Sequence, residues 1–135
     1  METFEAVHGL WRWVLAIAAL ALMIKMALGL IQGSRFTETD RKLAFYFAMA
    51  MTVQWGLGLI ALLVDVLAGA FNARLHMEHA VIGTLATALA HMPPMFKKRP
   101  DRVRFAGTLL LAVLALLVAV FNVTVVRGSW LYRLP

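Results

Sequence analysis

Polar positions along this chain collect in a few short clusters, and the residues between the clusters are almost wholly apolar. Four apolar runs result, at about 7–31, 43–70, 76–94 and 103–126, each near the ~20 helical residues needed to cross about 30 Å of hydrocarbon. The stretch Phe105–Val126 holds no charged residue. A water-soluble amphipathic helix keeps a polar stripe, and the fourth run has none. The breaks carry stop and start signals: Gly33-Ser34 ends the first helix, Thr39-Asp40 can cap the second, and Pro93-Pro94 terminates the third because proline removes backbone donors. The connection around Ala70–His76 is tight. Short connections make consecutive helices antiparallel neighbours. The pattern predicts an all-α, integral-membrane, up-down-up-down four-helix bundle forming a single domain over residues 1–135.

Composition agrees. The hydrophobic fraction is 62% and the mean hydropathy is +0.81, against roughly 45–50% apolar residues in soluble domains. Met1–Val7 carries Glu2 and Glu5 and no basic residue, unlike the basic start of a cleavable secretory signal, so the first helix is expected to be retained. Arg35, Arg41 and Lys42 lie in the first connection, with Lys25 able to snorkel from the helix end, and Lys97, Lys98, Arg99, Arg102 and Arg104 lie in the third. The other side has Arg74, Arg127 and Arg133, with Arg12 inside the first helix. The positive-inside rule then places both basic loops in the cytoplasm and both termini outside, on the periplasmic face of an inner membrane. The net charge of +6 is read as a topology signal against anionic lipid, and nucleic acid is not an expected partner.

Depth groups the polar residues. Counting inward from the outer helix ends at about 1.5 Å per residue, one layer contains His8, Arg12, Asp65, His79 and Asn122. Polar groups at such depth are expected to face the bundle interior. Helical spacing aligns Gln54, Gly58, Ala61 and Asp65 on the second helix. It likewise aligns His79, Gly83, Ala86 and Ala90 on the third, and Thr108, Leu111, Ala115, Val118 and Asn122 on the fourth. The small members allow close approach of a backbone or a flat cofactor.

Three chemistries fit this layer. In the first, His8 and His79 are axial ligands of a non-covalently held haem b, and Gly83 clears space beside it. Arg12, with Arg74 or His76, would pair with propionates, and Glu78 or Asp65 would orient an imidazole. With no cysteine in the chain, covalent haem attachment and iron–sulfur ligation are excluded. In the second, the layer is structural: His8 belongs to an interfacial belt with Trp11 and Trp13, and Arg12 and Asp65 neutralise each other and fix helix register. In the third, His76-Met77-Glu78-His79 and His91-Met92-Pro93-Pro94-Met95 handle copper, although the eight methionines are mostly packing residues in so apolar a chain. His91 has no second histidine at its level and is read as interfacial or loop-capping. No nucleophile–base pair or phosphate loop appears, so hydrolytic and transferase chemistry has little support.

Three stretches carry a resemblance: His8-Gly9-Leu10-Trp11-Arg12-Trp13; Arg35–Leu43 leading to Gln54-Trp55-Gly56-Leu57-Gly58-Leu59; and Met77-Glu78-His79. They resemble a family of small four-helix bacterial membrane proteins labelled cytochrome b-like. The resemblance runs from the first helix into the third, and the fourth adds nothing specific. It implies a bis-histidine haem at His8 and His79, with no defined reaction. The work expected of such a centre is electron transfer near the outer face, as an electron carrier rather than a stand-alone catalyst. It would be linked to quinol, or belong to a larger respiratory or photosynthetic complex. A quinone pocket would draw on Gln54, Thr84 or His91, though nothing in the spacing demands one. The competing expectation is a non-redox accessory subunit whose polar layer serves packing alone.

Overall fold

The computed structural model describes the backbone of residues 2–127 and the side chains of residues 3–125; Arg133 and the Arg127 side chain of the outer basic set lie outside them. Four helices form, α1 (Glu2–Gln32), α2 (Glu38–Leu67), α3 (Ala73–Ala90) and α4 (Asp101–Arg127), with a 3₁₀ turn at Pro93–Phe96 between the last two.

The helix ends follow from local chemistry. Gly33 (φ 62°) and Gly69 (φ 71°) sit just past α1 and α2 in the left-handed region, where a Cβ is disfavoured. At each, the next residue reaches back over the helix end, Ser34 N to Gly29 O at 3.0 Å and Ala70 N to Asp65 O at 2.8 Å, closing the Schellman arrangement. The start of α2 differs from the expected Thr39-Asp40 cap. Thr37 is the N-cap, and Asp40 in the first turn reaches back to the Thr37 amide at 2.9 Å, so the helix begins one turn earlier. Asn72 caps α3 by accepting from the Leu75 amide at 3.2 Å.

Helix α3 departs most from expectation. It has 18 residues, about 27 Å at 1.5 Å per residue, and ends at Ala90 ahead of the proline pair instead of running to residue 94. Among the described residues, α1, α2 and α4 are the helices long and apolar enough to cross a membrane. Length and composition thus support three of the four expected spans, and α3 falls short of that measure. The physical reason is the polar head of α3, where Arg74, His76, Glu78 and His79 occupy its first two turns.

Helix α1 packs on α2 and α4, and α3 packs on the same two helices. The pair α1/α3 therefore faces across one diagonal of a square. Pairings fall on one helix as they rise on the next: Trp11 Nε1 donates to Ala50 O at 2.9 Å, while Lys25 meets Asp40 at 3.0 Å. Between α2 and α3, Thr52 meets His91, Trp55 meets Thr84 and Asp65 meets His76. The core is a stripe of Leu15, Ala19, Leu22 and Met26 on α1 against Ala48 and Met51 on α2 and Phe105, Ala112 and Ala115 on α4. Small residues bring the helices close. A Cβ on Gly29 would overlap the Phe105 ring, and one on Gly107 the Phe96 ring. Outward faces are apolar, with Ile17, Ile24, Leu63, Leu110 and Leu117 exposed, a surface suited to lipid and not to water.

Candidate functional site

One polar layer joins all four helices. From α1 comes His8, from α2 Gln54 and Gly58, from α3 His79 and Gly83, and from α4 Asn122. The His8 and His79 rings meet across the diagonal with centroids 6.0 Å apart and planes at 83°.

Each imidazole is oriented by an amide from another helix. Asn122 Nδ2 donates to the His79 carbonyl oxygen at 3.1 Å. That bond turns Asn122 Oδ1 toward the His79 ring, where it lies 3.0 Å from Nδ1 and accepts its proton. In its neutral form the ring then has its lone pair on Nε2. Gln54 Nε2 donates to the His8 carbonyl oxygen at 3.1 Å and stands 3.5 Å from His8 Nε2. The second amide hydrogen therefore meets a lone pair on that nitrogen, at the long edge of hydrogen-bond range. Reversing either amide would set oxygen against oxygen, so the network fixes both assignments. In their neutral forms the two histidines thus share one tautomer, with the proton on Nδ1.

The glycines of the layer serve these partners. A Cβ on Gly58 would lie 3.1 Å from His8 Cε1, and one on Gly83 would lie 3.4 Å from Asn122 Nδ2. Gly83 therefore clears space for the amide that holds His79. Arg12 is buried one turn along α1 from His8, with its guanidinium 5.7 Å from the Trp13 ring centroid.

Three sequence-selected residues gather elsewhere. Asp65 bonds the His76 ring, Oδ2 to Nε2 at 2.9 Å, and not Arg12. His76 Nδ1 lies 2.9 Å from the Asn72 backbone, and its ring stacks on Phe71 with centroids 5.3 Å apart. Together these close the α2–α3 turn. Glu78 pairs with Arg74 at 3.2 Å on the exposed side of α3. The head of α3 thus splits: His76 turns to α2 and His79 to α4, so the His-Met-Glu-His sequence does not converge. Among the described residues, no group of three or more His, Cys, Asp or Glu side chains could hold a metal ion.

The residues considered for a quinone are likewise engaged separately. Gln54 holds His8, Thr84 accepts from Trp55 Nε1 at 2.9 Å, and His91 Nε2 lies 2.7 Å from Thr52 Oγ1. The Thr52 hydroxyl donates to Ala48 O at 3.0 Å, so His91 Nε2 is the donor to Thr52. Sequence reasoning placed Gln54 and Asn122 on interior stripes but gave neither the task of orienting a histidine. For Asn122 the available signal is depth, since it is an amide counted at the level of His79; for Gln54 depth gives no such signal, and only its place on the interior stripe pointed inward.

No family model, curated protein or solved structure matches the chain.

Proposed function

We propose that this protein is a membrane-embedded b-type cytochrome that carries electrons through one haem held by His8 and His79. A single observation carries the reading: two imidazoles from α1 and α3 meet across the bundle diagonal with ring centroids 6.0 Å apart. Two neutral imidazoles so close would supply two nitrogen ligands to one metal centre. The donor set points the same way. Among the described residues no third His, Cys, Asp or Glu side chain joins the two nitrogens, so a bare ion would be left under-coordinated, whereas a macrocycle would bring four donors of its own.

When bound, haem supplies a one-electron couple. The chain does the rest. Asn122 holds the His79 proton on Nδ1 and thereby presents Nε2. Gln54 secures the His8 backbone and would give up only its long contact to Nε2. Arg12 sets positive charge beside the pair, in a form suited to a carboxylate. Gly58 and Gly83 keep side chains away from the ring of His8 and the amide of Asn122. The bundle lies up-down-up-down in a bacterial inner membrane, with both termini and the histidine layer toward the outside and the basic loops toward the cytoplasm. Its partners are redox proteins or a larger electron-transfer complex.

A second reading rests on the direct bonds within the layer. Asn122 ties α4 to α3 at His79 and Gln54 ties α2 to α1 at His8, as in a layer that only fixes helix register. One experiment separates the two. The full chain, produced with haem available, is examined by reduced-minus-oxidised spectroscopy and pyridine haemochrome assay. One haem per chain, lost in His8→Ala and in His79→Ala, is the expected result. A folded but colourless protein overturns the cytochrome reading and leaves the accessory subunit.

A further inference from the structure

At the opposite end of the bundle from the histidine layer, a cavity of about 270 Å³ opens between the start of α2, the end of α3 and the start of α4. Its wall is apolar, built from Ala44, Ala48 and Ala90 with Phe36 and Phe45. Arg41, Lys97 and Arg104 also line it. Arg41 is bound to Glu38 through two hydrogen bonds. Among the described residues, neither Lys97 nor Arg104 has a carboxylate within ion-pair distance. The Arg104 guanidinium carbon lies over Phe36, 4.1 Å from the ring centroid. A guanidinium over a ring face still has N–H groups for a planar or tetrahedral oxyanion.

We infer that this cavity binds the headgroup of an anionic phospholipid. The charges select a phosphate, and the apolar wall selects an amphiphile over a free ion. At about 270 Å³ the space sits near the lower end of ligand sites, about 300–1,000 Å³, so it takes a headgroup and not a whole lipid. The acyl chains have a route outward: Phe45 lines the cavity and is itself half-exposed, next to the exposed Tyr46 on the lipid-facing side of α2. Both basic loops meet at this end, the depth at which lipid phosphates lie. The inference is independent of the haem.

The test uses the full chain in neutral detergent and native mass spectrometry. Phosphatidylglycerol and phosphatidylcholine of identical acyl chains are titrated, with glycerol 3-phosphate as the soluble headgroup. Phosphatidylglycerol is expected to bind preferentially and glycerol 3-phosphate to compete poorly. Lys97→Gln and Arg104→Gln should each weaken phosphatidylglycerol binding about fivefold, the effect of one cation at a lipid surface. Ala44→Leu should block it while leaving every charge in place, and Lys98→Gln should change nothing. Lys97 lies in a loop, so its variant keeps the test sound if Arg104→Gln misfolds. Equal binding of the two lipids, or equal loss in Lys98→Gln, overturns the site. Competition by glycerol 3-phosphate at the lipid's own affinity overturns the lipid and assigns a soluble phosphate.

Discussion

Asn122 grips His79 at two points, donating to its carbonyl oxygen and accepting from its ring Nδ1–H. One side chain on α4 therefore fixes both the backbone position and the proton of a histidine on α3. Asn122→Leu keeps the branched shape and removes both bonds, so the His79 Nδ1–H loses its Asn122 acceptor while the carbonyl keeps the bond of its own helix. That loss should cost about 1–3 kcal/mol, seen as a lower unfolding temperature in detergent. On the cytochrome reading the same variant should also weaken haem retention about 10–100-fold, as removal of an orienting partner does at metal-bound histidines. Equal haem occupancy in variant and parent would remove Asn122 from the ligand-positioning role while leaving its stability role intact.

The contact of His8 with Gly58 sets a graded test. A Cβ at position 58 would lie 3.1 Å from His8 Cε1, so Gly58→Ala requires the ring to shift by a few tenths of an ångström. A branched side chain has no such solution. Gly58→Val should destabilise by about 1–3 kcal/mol through overpacking, and Gly58→Ala by less. Gly29→Ala, far from the histidines, should exceed Gly58→Ala because the added carbon overlaps a fully buried Phe105 ring. Thermal unfolding of the three variants gives the order. If Gly58→Ala proves the worst, the packing around His8 is tighter than the structure indicates.

Much of this arrangement was legible in the residues. Gly33 ended α1 as its position implied, and the small residues on three helices did face inward. The periodicity that placed His79 and Asn122 on interior stripes gives a face, however, and not a partner. Which side chain meets which depends on helix rotation, and that is set by packing such as Phe105 into Gly29. The α3 boundary was misjudged because its apolar run extends through Met92, while the helix stops where proline removes the donors that a further turn needs. Counting by depth puts Asp65 level with Arg12, and opposite charge makes them candidates for each other. His76, one turn ahead of His79 on α3 and rotated toward α2, takes the carboxylate instead.

The Asp65–His76 bond holds the α2–α3 turn and lies apart from the two facing imidazoles. Asp65→Asn should therefore leave any haem spectrum unchanged. Its effect on stability should be small, about 0–1 kcal/mol, since both side chains are partly exposed. Amide hydrogen exchange should quicken locally around Ala70–Arg74. A shifted haem spectrum would show that Asp65 acts on the histidine layer after all.

Lys25 and Asp40 join α1 to the head of α2, and their burial is lopsided. The Lys25 side chain is 43% exposed and that of Asp40 is 1% exposed. Asp40 also accepts from the Thr37 amide and hydroxyl, so it serves as both ion-pair partner and helix cap. Removing the two partners should consequently have unequal results. Asp40→Asn frees a lysine whose long chain can extend toward water or lipid phosphates, and the amide oxygen still caps Thr37. Lys25→Met strands a carboxylate with no route to solvent, and breaking a buried pair from that side costs up to about 3–5 kcal/mol. The two Thr37 donors offset part of that penalty. Lys25→Met is thus expected to be the more damaging of the two, with Asp40→Asn nearer to the about 0.5–2 kcal/mol of a weakened cap. Unfolding temperatures of both variants across neutral to mildly acidic pH check the order. Lowering the pH should narrow the gap by protonating the stranded carboxylate. A gap of the opposite sign at neutral pH would mean that the lysine, and not the aspartate, is the group held out of solvent.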